Sequence, residues 1–447
     1  MRYTEYKSTT IKWLKPIPSH WKEFRGKNLY RKESRTPREQ DDIVTCFRDG
    51  QVTLRRNRRT EGFTESLKEI GYQGVRKGDL VIHVMDAFAG SIGVSDSDGK
   101  STPVYSVCTA KGDTNNYYFG YLLREMARTG YIQSLYRGIR ERSSDFRFDV
   151  FAAQTYPVPP REEQDQIVRY LDWQISRINK LIHGYQREIS LLQERRQSII
   201  DIATTQGIDD AELKESGTHW VKHIPKHWEM VYSKKLFAER KDKAFPGDEQ
   251  LTASQKYGII PQRVFMEREG RRVTVVMTGS DILKHVGKGD FVLSMRSFQG
   301  GLEYSHVEGK ISSAYVMLIP REGRVYDEYF KWLLKSRQYI KALQGTADLV
   351  RDGQALRYAN FAKVPLPIVP LDEQKRIADH IECETVKIDN AIPKIQKEIN
   401  LLREYRTRLI SDVVTGQIDV RGVAIPEYEL EVDNTDMESG EDVEAEE

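Results

Sequence analysis

The residues of this chain that could do chemistry are arginines gathered in short runs, and the chemistry they suit is the binding of a polyanion. The densest run is Arg55-Arg56-Asn57-Arg58-Arg59. Cationic side chains in such a run contact phosphates, which supplies affinity but carries little sequence information. The alternative is a solvated surface loop that binds nothing.

A second stretch, residues 295–301, combines residue types that read nucleic-acid bases. It carries Arg296, Ser297 and Gln299 on a loop that ends in glycine. Arg can pair with guanine and Gln with adenine through two hydrogen bonds each. This loop is therefore the best candidate for base reading in the second half of the chain.

Further candidate DNA contacts lie mainly near the end of each half, where Arg and Gln recur at partly matching positions. For each single residue, a purely structural role is an equal alternative. The candidates are Arg137, Arg140, Arg142 and Arg147 in the first half, and Arg263, Arg351, Gln354 and Arg357 in the second.

Motifs for catalysis are absent from the sequence, which has no Walker A run, no GxGxxG after a strand and no [DN]PP[YF] methylase motif. Three histidines, His219, His223 and His227, are spaced so that they would share one face of a helix. Pro225 interrupts that stretch. We therefore expect neither an active site nor a metal site in this chain.

The composition is typical of a multi-domain protein from a reducing compartment. With 447 residues, 30% of them charged and 39% hydrophobic, the chain can bury more than one core. Its cysteines, Cys46, Cys108 and Cys383, are far apart and form no CxxC pair. We expect no membrane span, since no apolar window reaches roughly 18 residues. The N-terminus lacks the apolar core of a signal peptide, which favours the cytoplasm.

The net charge of +2 hides a marked asymmetry along the chain. Residues 427–447 contain eleven Asp or Glu and no Lys or Arg. The rest has 69 basic against 56 acidic residues, an excess of 13 positive charges. The body is thus basic enough to bind a polyanion, which by itself is weak evidence for nucleic acid. The acidic tail is expected to be disordered.

One long segment occurs twice and organises the chain. It runs from Arg161 to about Thr204 and recurs, without gaps, from Leu371 to Thr415 at an offset of 210. Apolar residues recur about every 3.5 positions, as in a coiled-coil seam. A helix of about 44 residues would be roughly 66 Å long. The predicted seam comprises Leu171, Ile178, Ile182, Ile189, Leu192 and Ile199 in the first helix, and Ile381, Ile388, Ile392, Ile399, Leu402 and Leu409 in the second.

The repeat extends beyond the helices. Lys7–Trp21 matches Lys214–Trp228 and shares an IPxHW sequence, and a Lys-Gly-Asp turn precedes an apolar run in each half. Prolines mark each entry into a long helix. The sequence predicts two α+β globular domains separated by two long helices that form an antiparallel coiled coil. The predicted boundaries are 1–155, 156–210, 211–363, 364–421 and, for the tail, 422–447.

Two residues interrupt the helical pattern. Gly184 lies within the first helix, and Pro393 lies near the matching level of the second. Each weakens its helix locally. The alternatives are a tolerated kink and a hinge between the two domains.

In these features the chain resembles the specificity subunit of type I restriction–modification systems. The resemblance rests on the IPxHW openings, the Glu-Gln pairs that start the long helices, and the TTQGID and VTGQID sequences that end them. The run from Met295 to Ser305 also looks like this family. The resemblance as a whole covers nearly the entire chain apart from the acidic tail.

The resemblance implies two target-recognition domains, each reading one half of a bipartite site in double-stranded DNA. The helices would set the spacing and dock two methylation subunits, which restriction/motor subunits would join. This chain would hold no cofactor, because S-adenosylmethionine, ATP and Mg would belong to the partners. An alternative is a non-catalytic coiled-coil adaptor with two protein-binding domains; the basic body and the Arg and Gln loops argue against it.

Overall fold

The computed structural model describes residues 2–58, 70–135, 146–270, 282–294, 301–346 and 356–431. The chain divides into two compact units. The first unit combines Met1–Gln186 with Gln396–Glu447, and the second is Arg187–Ile395. Each unit therefore holds one globular part and about half of each long helix.

The globular part of the first unit mixes short antiparallel strands with short helices. The helices are α1 (Gly26–Leu29), α2 (Asn116–Arg128), α3 (Tyr131–Ser134) and α4 (Phe148–Ala153). The strands are β1 (Tyr6–Lys7), β2 (Ile17–Pro18), β3 (Lys22–Arg25), β4 (Tyr30–Lys32), β5 (Val44–Cys46), β6 (Val52–Leu54), β7 (Gln73–Val75), β8 (Leu80–His83), β9 (Ile92–Val94), β10 (Gly99–Ser101), β11 (Tyr105–Ala110) and β12 (Thr155–Val158).

The first long helix, α5 (Arg161–Gln206), follows, and the globular part of the second unit repeats the same mixture. Its helices are α6 (Gln262–Glu269), α7 (Asp327–Leu333), α8 (Arg337–Gln344) and α9 (Tyr358–Lys363), ahead of the second long helix, α10 (Leu371–Val414). The strands are β13 (Leu213–Glu215), β14 (His223–Pro225), β15 (Glu229–Tyr232), β16 (Phe237–Arg240), β17 (Leu251–Ser254), β18 (Gly258–Pro261), β19 (Lys284–Val286), β20 (Phe291–Leu293), β21 (Glu303–Tyr304), β22 (Gly309–Ile311), β23 (Val316–Pro320) and β24 (Pro365–Ile368).

Both units are built on a four-stranded antiparallel sheet with the same strand order. The order is β4-β11-β8-β9 in the first unit and β16-β23-β20-β21 in the second. The central strands are apolar runs, in which Val81 lies opposite Val107, and Val292 opposite Met317. All four side chains are buried. The prediction of two α+β parts is confirmed, and the repeat includes the topology of the sheet.

The Lys-Gly-Asp sequences form the turns that introduce β8 and β20. Asp79 accepts a hydrogen bond from the backbone N–H of Arg76 and pairs with the guanidinium of Arg35. Asp290 does the same with the N–H of Gly287 and with Arg240. Both carboxylates are buried, and the paired guanidinium of each offsets the cost of removing its charge from water.

The two long helices pack antiparallel within each unit, as predicted. In the first unit, Arg406 of α10 donates a hydrogen bond to the side-chain oxygen of Asn179 of α5, at 2.7 Å. In the second unit, Arg196 of α5 pairs with Asp389 of α10, also at 2.7 Å. Each residue of one contact lies 210 positions from its counterpart in the other. This pair of contacts gives a physical reason for the arginine that interrupts the apolar seam of each helix.

All twelve predicted seam residues are buried or half-buried. Seven of them are fully buried, including Leu171 near the start of α5 and Ile182 at its middle. Gly184 and Pro393 lie inside continuous helices. The boundaries between the compact units follow them by two residues in each helix. Whether either residue is a hinge stays a prediction.

The start of the acidic tail differs from the expectation of disorder after residue 421. Residues 420–431 lie along the first half of α5, where Gln166 donates a hydrogen bond to the carbonyl of Val420. Farther along, Asn179 donates to the carbonyl of Glu431, and His183 lies 2.9 Å from its carboxylate. Half-buried apolar side chains such as Tyr428 give this segment surface to pack, which its charge alone did not suggest. Residues 432–447 lie outside the described residues.

Candidate nucleic-acid interface

A buried glutamate at the start of each long helix fixes the orientation of the globular part on that helix. In the first unit, Glu163 accepts hydrogen bonds from the hydroxyl of Tyr3 (2.6 Å) and the indole N–H of Trp21 (2.9 Å). His20 lies 2.7 Å from its other oxygen. The carboxylate is 5% exposed, so these partners replace the water that it has lost. These contacts connect the IPxHW sequence with the start of α5, and Trp21 and Glu163 are 142 residues apart in the sequence.

The second unit repeats this contact. Glu373 accepts a hydrogen bond from the indole N–H of Trp228 at 3.1 Å, and His227 lies 2.9 Å from the same oxygen. The glutamines that follow these two glutamates also make equivalent hydrogen bonds. Gln164 accepts from the backbone N–H of Asn115 (2.9 Å), and Gln374 accepts from that of Tyr326 (2.7 Å). The repeated His-Trp and Glu-Gln sequences therefore hold each globular part on its long helix.

A glycine after each long helix allows the chain to pass close to the tryptophan that donates to the buried glutamate of that unit. Gly207 lies near Trp228, and Gly416 lies near Trp21. Gly207 and Gly416 have φ values of +78° and +76°, in the left-handed region that favours glycine. A Cβ on Gly416 would lie 2.5 Å from Pro18 and 3.0 Å from the Trp21 ring. The backbone conformation and the close approach thus explain the glycine in the TTQGID and VTGQID sequences.

The basic run of the first unit is only partly available to a ligand. Arg58 is nearly buried, its guanidinium lying 2.6 Å from Asp49 and 4.1 Å from the centre of the Phe47 ring. Arg56 is exposed and lies 2.9 Å from Asp42. Arg55 donates a hydrogen bond to the hydroxyl of Thr45. The sequence could not reveal these partners, because the carboxylates lie nine and fourteen residues upstream. Arg59 lies outside the described residues.

Two other candidate DNA contacts occupy equivalent exposed positions in the two units. Arg147 and Arg357 are the N-cap residues of α4 and α9, and both side chains are exposed. Arg263 is exposed but lies 2.7 Å from Glu249. The other candidates lie outside the described residues: Arg137, Arg140, Arg142, Arg296, Ser297, Gln299, Arg351 and Gln354.

A basic cleft in the second unit was not among the sequence candidates. It has a volume of about 700 Å³ and is lined by Lys234, Lys235, Arg321, Glu322 and Arg324. The sequence contains both parts of it, a Lys-Lys pair and an Arg-Glu-Gly-Arg run, but they lie more than 80 residues apart. Only the pairing of β16 with β23 brings them together.

Metal-binding groups are not assembled in the described part of the chain. No cluster of three or more His, Cys, Asp or Glu side chains there could hold an ion. His223 lies in β14, and His227 contacts Glu373, so the three spaced histidines do not share a helix face. Burial raises the pKa of the Cys46 and Cys108 thiols, which keeps both protonated. Across the described ranges, no helix combines the length and apolarity needed to span a bilayer.

Comparison with known proteins gives relatives of one kind. No family model matches the chain. The putative type I restriction enzyme MjaX specificity subunit of Methanocaldococcus jannaschii is 24% identical over 320 residues, which is 70% of each protein. The type I restriction enzyme MjaVIII specificity subunit of the same organism is 24% identical over 290 residues, 61% of this chain and 64% of the relative. The chain is related to type I restriction specificity subunits.

Solved structures support the same relationship at the level of fold. A structure described as the basis of complex assembly and conformational transition of the type I R-M system matches with a TM-score of 0.67. It is 14% identical and covers 90% of this chain and 99% of the matched one. The crystal structure of the HsdS subunit from Thermoanaerobacter tengcongensis matches at 0.50, with 14% identity and coverages of 90% and 98%. This chain therefore has the fold of the specificity subunits.

Proposed function

We propose that this chain is the DNA-recognition subunit of a type I restriction–modification complex and binds double-stranded DNA. The observation that carries the proposal is the repetition of one architecture. Both units have the same sheet order, the same Glu–His–Trp contact and an equivalent arginine between the helices. The names of the relatives and the basic charge of residues 1–426 support it.

Each unit would read one half of a bipartite site. The residues that hold each globular part on its helix recur in both units, whereas the exposed candidate contacts other than Arg147 and Arg357 differ. Exposed Arg263 of the second unit, for example, lies on α6, which has no counterpart among the described helices of the first. A common scaffold with different surfaces is what two readers of different sequences require.

The long helices would set the spacing of the two half-sites and dock the partner subunits. Leu191 and Leu401 occupy equivalent positions on α5 and α10 and are 57% and 46% exposed. Tyr405 and Val386 add further exposed apolar surface on α10. Exposed apolar side chains at equivalent positions support a protein partner on each helix. Two methylation subunits, joined by restriction/motor subunits, are the proposed partners.

Recognition would be the contribution of this chain, and chemistry that of its partners. S-adenosylmethionine, ATP and Mg would accordingly bind to the methylation and restriction/motor subunits. The arginine and lysine side chains described above can hold phosphates and bases in place.

A salt titration of duplex binding tests the proposal. The full chain is mixed with a labelled duplex of random sequence, and the affinity is measured by fluorescence anisotropy at increasing salt. A DNA-binding chain gives a steep linear fall of log K with log salt, by about 0.9 per phosphate contact. A protein-binding adaptor gives no duplex binding at any salt concentration, and that result would contradict the proposal.

A further inference from the structure

We infer that the basic cleft of the second unit, formed by Lys234, Lys235, Arg321 and Arg324, is a binding site for the phosphate backbone of duplex DNA. The inference rests on the proposed function and assigns a contact surface within it. One carboxylate, that of Glu322, lines the cleft together with the four cations. All five side chains are exposed.

The four cations of the cleft are not held in ion pairs by any residue that the structure describes. In the part of the chain that the structure describes, no carboxylate lies within ion-pair distance of any of the four. Arg321 instead donates a long hydrogen bond, 3.5 Å, to the backbone carbonyl of Lys234. Many other exposed cations of this unit have carboxylate partners, as Lys226 has Glu212 at 2.7 Å. The cleft therefore keeps a positive potential that attracts an anion.

The lining of the cleft fits a polyanion better than a small ligand. Small-molecule sites are mostly apolar and enclose their ligand. This cleft is lined only by charged side chains, and every one of them is exposed to solvent. Point charges that line an open surface are suited to successive phosphates of a nucleic acid that passes along it.

The backbone hydrogen bond next to the cleft also forms at the equivalent place in the first unit, where fewer side chains are basic. The N–H of Arg321 bonds the carbonyl of Leu236, just as the N–H of Lys111 bonds that of Leu29. The Lys111 ammonium also donates to the carbonyl of Lys27, at 2.8 Å. The position of Lys235 is occupied there by asparagine. A basic site at this place is thus part of the repeated architecture, and the second unit has the more basic version.

Replacing all four cations by Ala tests the inference in the full-length chain. Each phosphate contact contributes roughly eightfold to affinity at about 0.1 M salt. We expect the Lys234→Ala/Lys235→Ala/Arg321→Ala/Arg324→Ala variant to bind a random duplex at least about tenfold more weakly. The slope of log K against log salt should fall by about 0.9 for each phosphate that the variant no longer neutralises.

A matched control removes the same charge from cations that already have carboxylate partners. Lys226, Lys256, Lys331 and Arg376 of the same unit pair with Glu212, Glu269, Glu328 and Asp209. Replacing these four by Ala should leave the salt slope within one phosphate contact of the wild-type value. Circular dichroism would verify that both variants fold.

A gain-of-function variant completes the test. Glu322→Gln removes the single carboxylate of the cleft and should raise duplex affinity severalfold. If the wild-type chain binds duplex DNA with a steep salt slope but the cleft variant keeps that slope, the inference is wrong and the proposed function stands. If the affinity of the cleft variant falls no further than that of the matched control, net charge explains the effect and the inference is also wrong. If the wild-type chain binds no duplex, both fail.

Discussion

At the scale of single residues, burial separates the cations that hold the fold from those that remain available to a ligand. The sequence placed four arginines in one run, and their types alone suggested phosphate contact. In the structure, Arg58 packs on Phe47 and pairs with Asp49. Burial of a guanidinium depends on partners distant in sequence, so a basic run does not identify which of its members can reach DNA.

Replacing Arg58 by Ala should lower the stability of the first unit. It leaves the Asp49 carboxylate, which is 20% exposed, without its 2.6 Å partner. We expect a loss of about 1–3 kcal/mol in the free energy of unfolding, measured by chemical denaturation. Arg56→Ala is the matched control, because both members of the Arg56–Asp42 pair are largely exposed. Equal effects of the two substitutions would contradict the structural role of Arg58.

The Glu163 contact makes a sharper prediction about stability. Glu163→Ala removes the acceptor of two buried donors, the Tyr3 hydroxyl and the Trp21 indole. Each buried donor left unpaired costs about 1–3 kcal/mol, so we expect a loss of at least about 2 kcal/mol. The neighbouring Glu162 is exposed, and Glu162→Ala should change little. Thermal denaturation of both variants would measure the difference, and a fully stable Glu163→Ala protein would disprove this anchoring role.

At the scale of elements, the long helices were the most predictable part of the fold. A gap-free repeat with a 3.5-residue apolar period indicated both helices and their pairing, and α5 and α10 lie within the predicted ranges. The short strands were less predictable. Many contain only two to four residues, and their partners are distant, as for β3 and β12. Their positions are decided by tertiary packing and not by local pattern.

The helices also carry the prediction about spacing. Deleting residues 186–192 and 396–402 removes one heptad from each helix and keeps the seam period. The contacts Asn179–Arg406 and Arg196–Asp389 flank the deleted segments and can both form again. The helix pair shortens by roughly 10 Å, so the preferred DNA spacer should shrink by up to about three base pairs.

Selection of bound duplexes from a library with variable spacers measures this change. The half-site sequences should stay the same, because the globular parts are unaltered. A deletion of three residues from each helix breaks the heptad and is the matched control, which should lose the packing register and with it the fixed spacer. If the selected half-sites change while the spacer stays constant, the helices do not set the spacing.

At the scale of the whole molecule, the chain consists of two versions of one unit followed by an acidic C-terminal segment. The charge of that segment is opposite to the net positive charge of the rest of the chain. The repeat of sequence motifs indicated two equivalent parts, and the structure extends the equivalence to sheet order and to cross-helix contacts. The packing of residues 420–431 along α5 was not predictable from charge. Nor was the basic cleft, because its two halves are joined only by a strand pairing.

The most direct test of the central claim is a selection with the full chain and the proposed methylation subunits on a fully random duplex library. If two related units read DNA from one scaffold, the selected sequences contain two short constant blocks. These blocks are separated by a fixed number of base pairs at which no base is preferred. A single continuous block, or no enriched sequence despite duplex binding, would contradict the claim that each unit reads one half of a bipartite site.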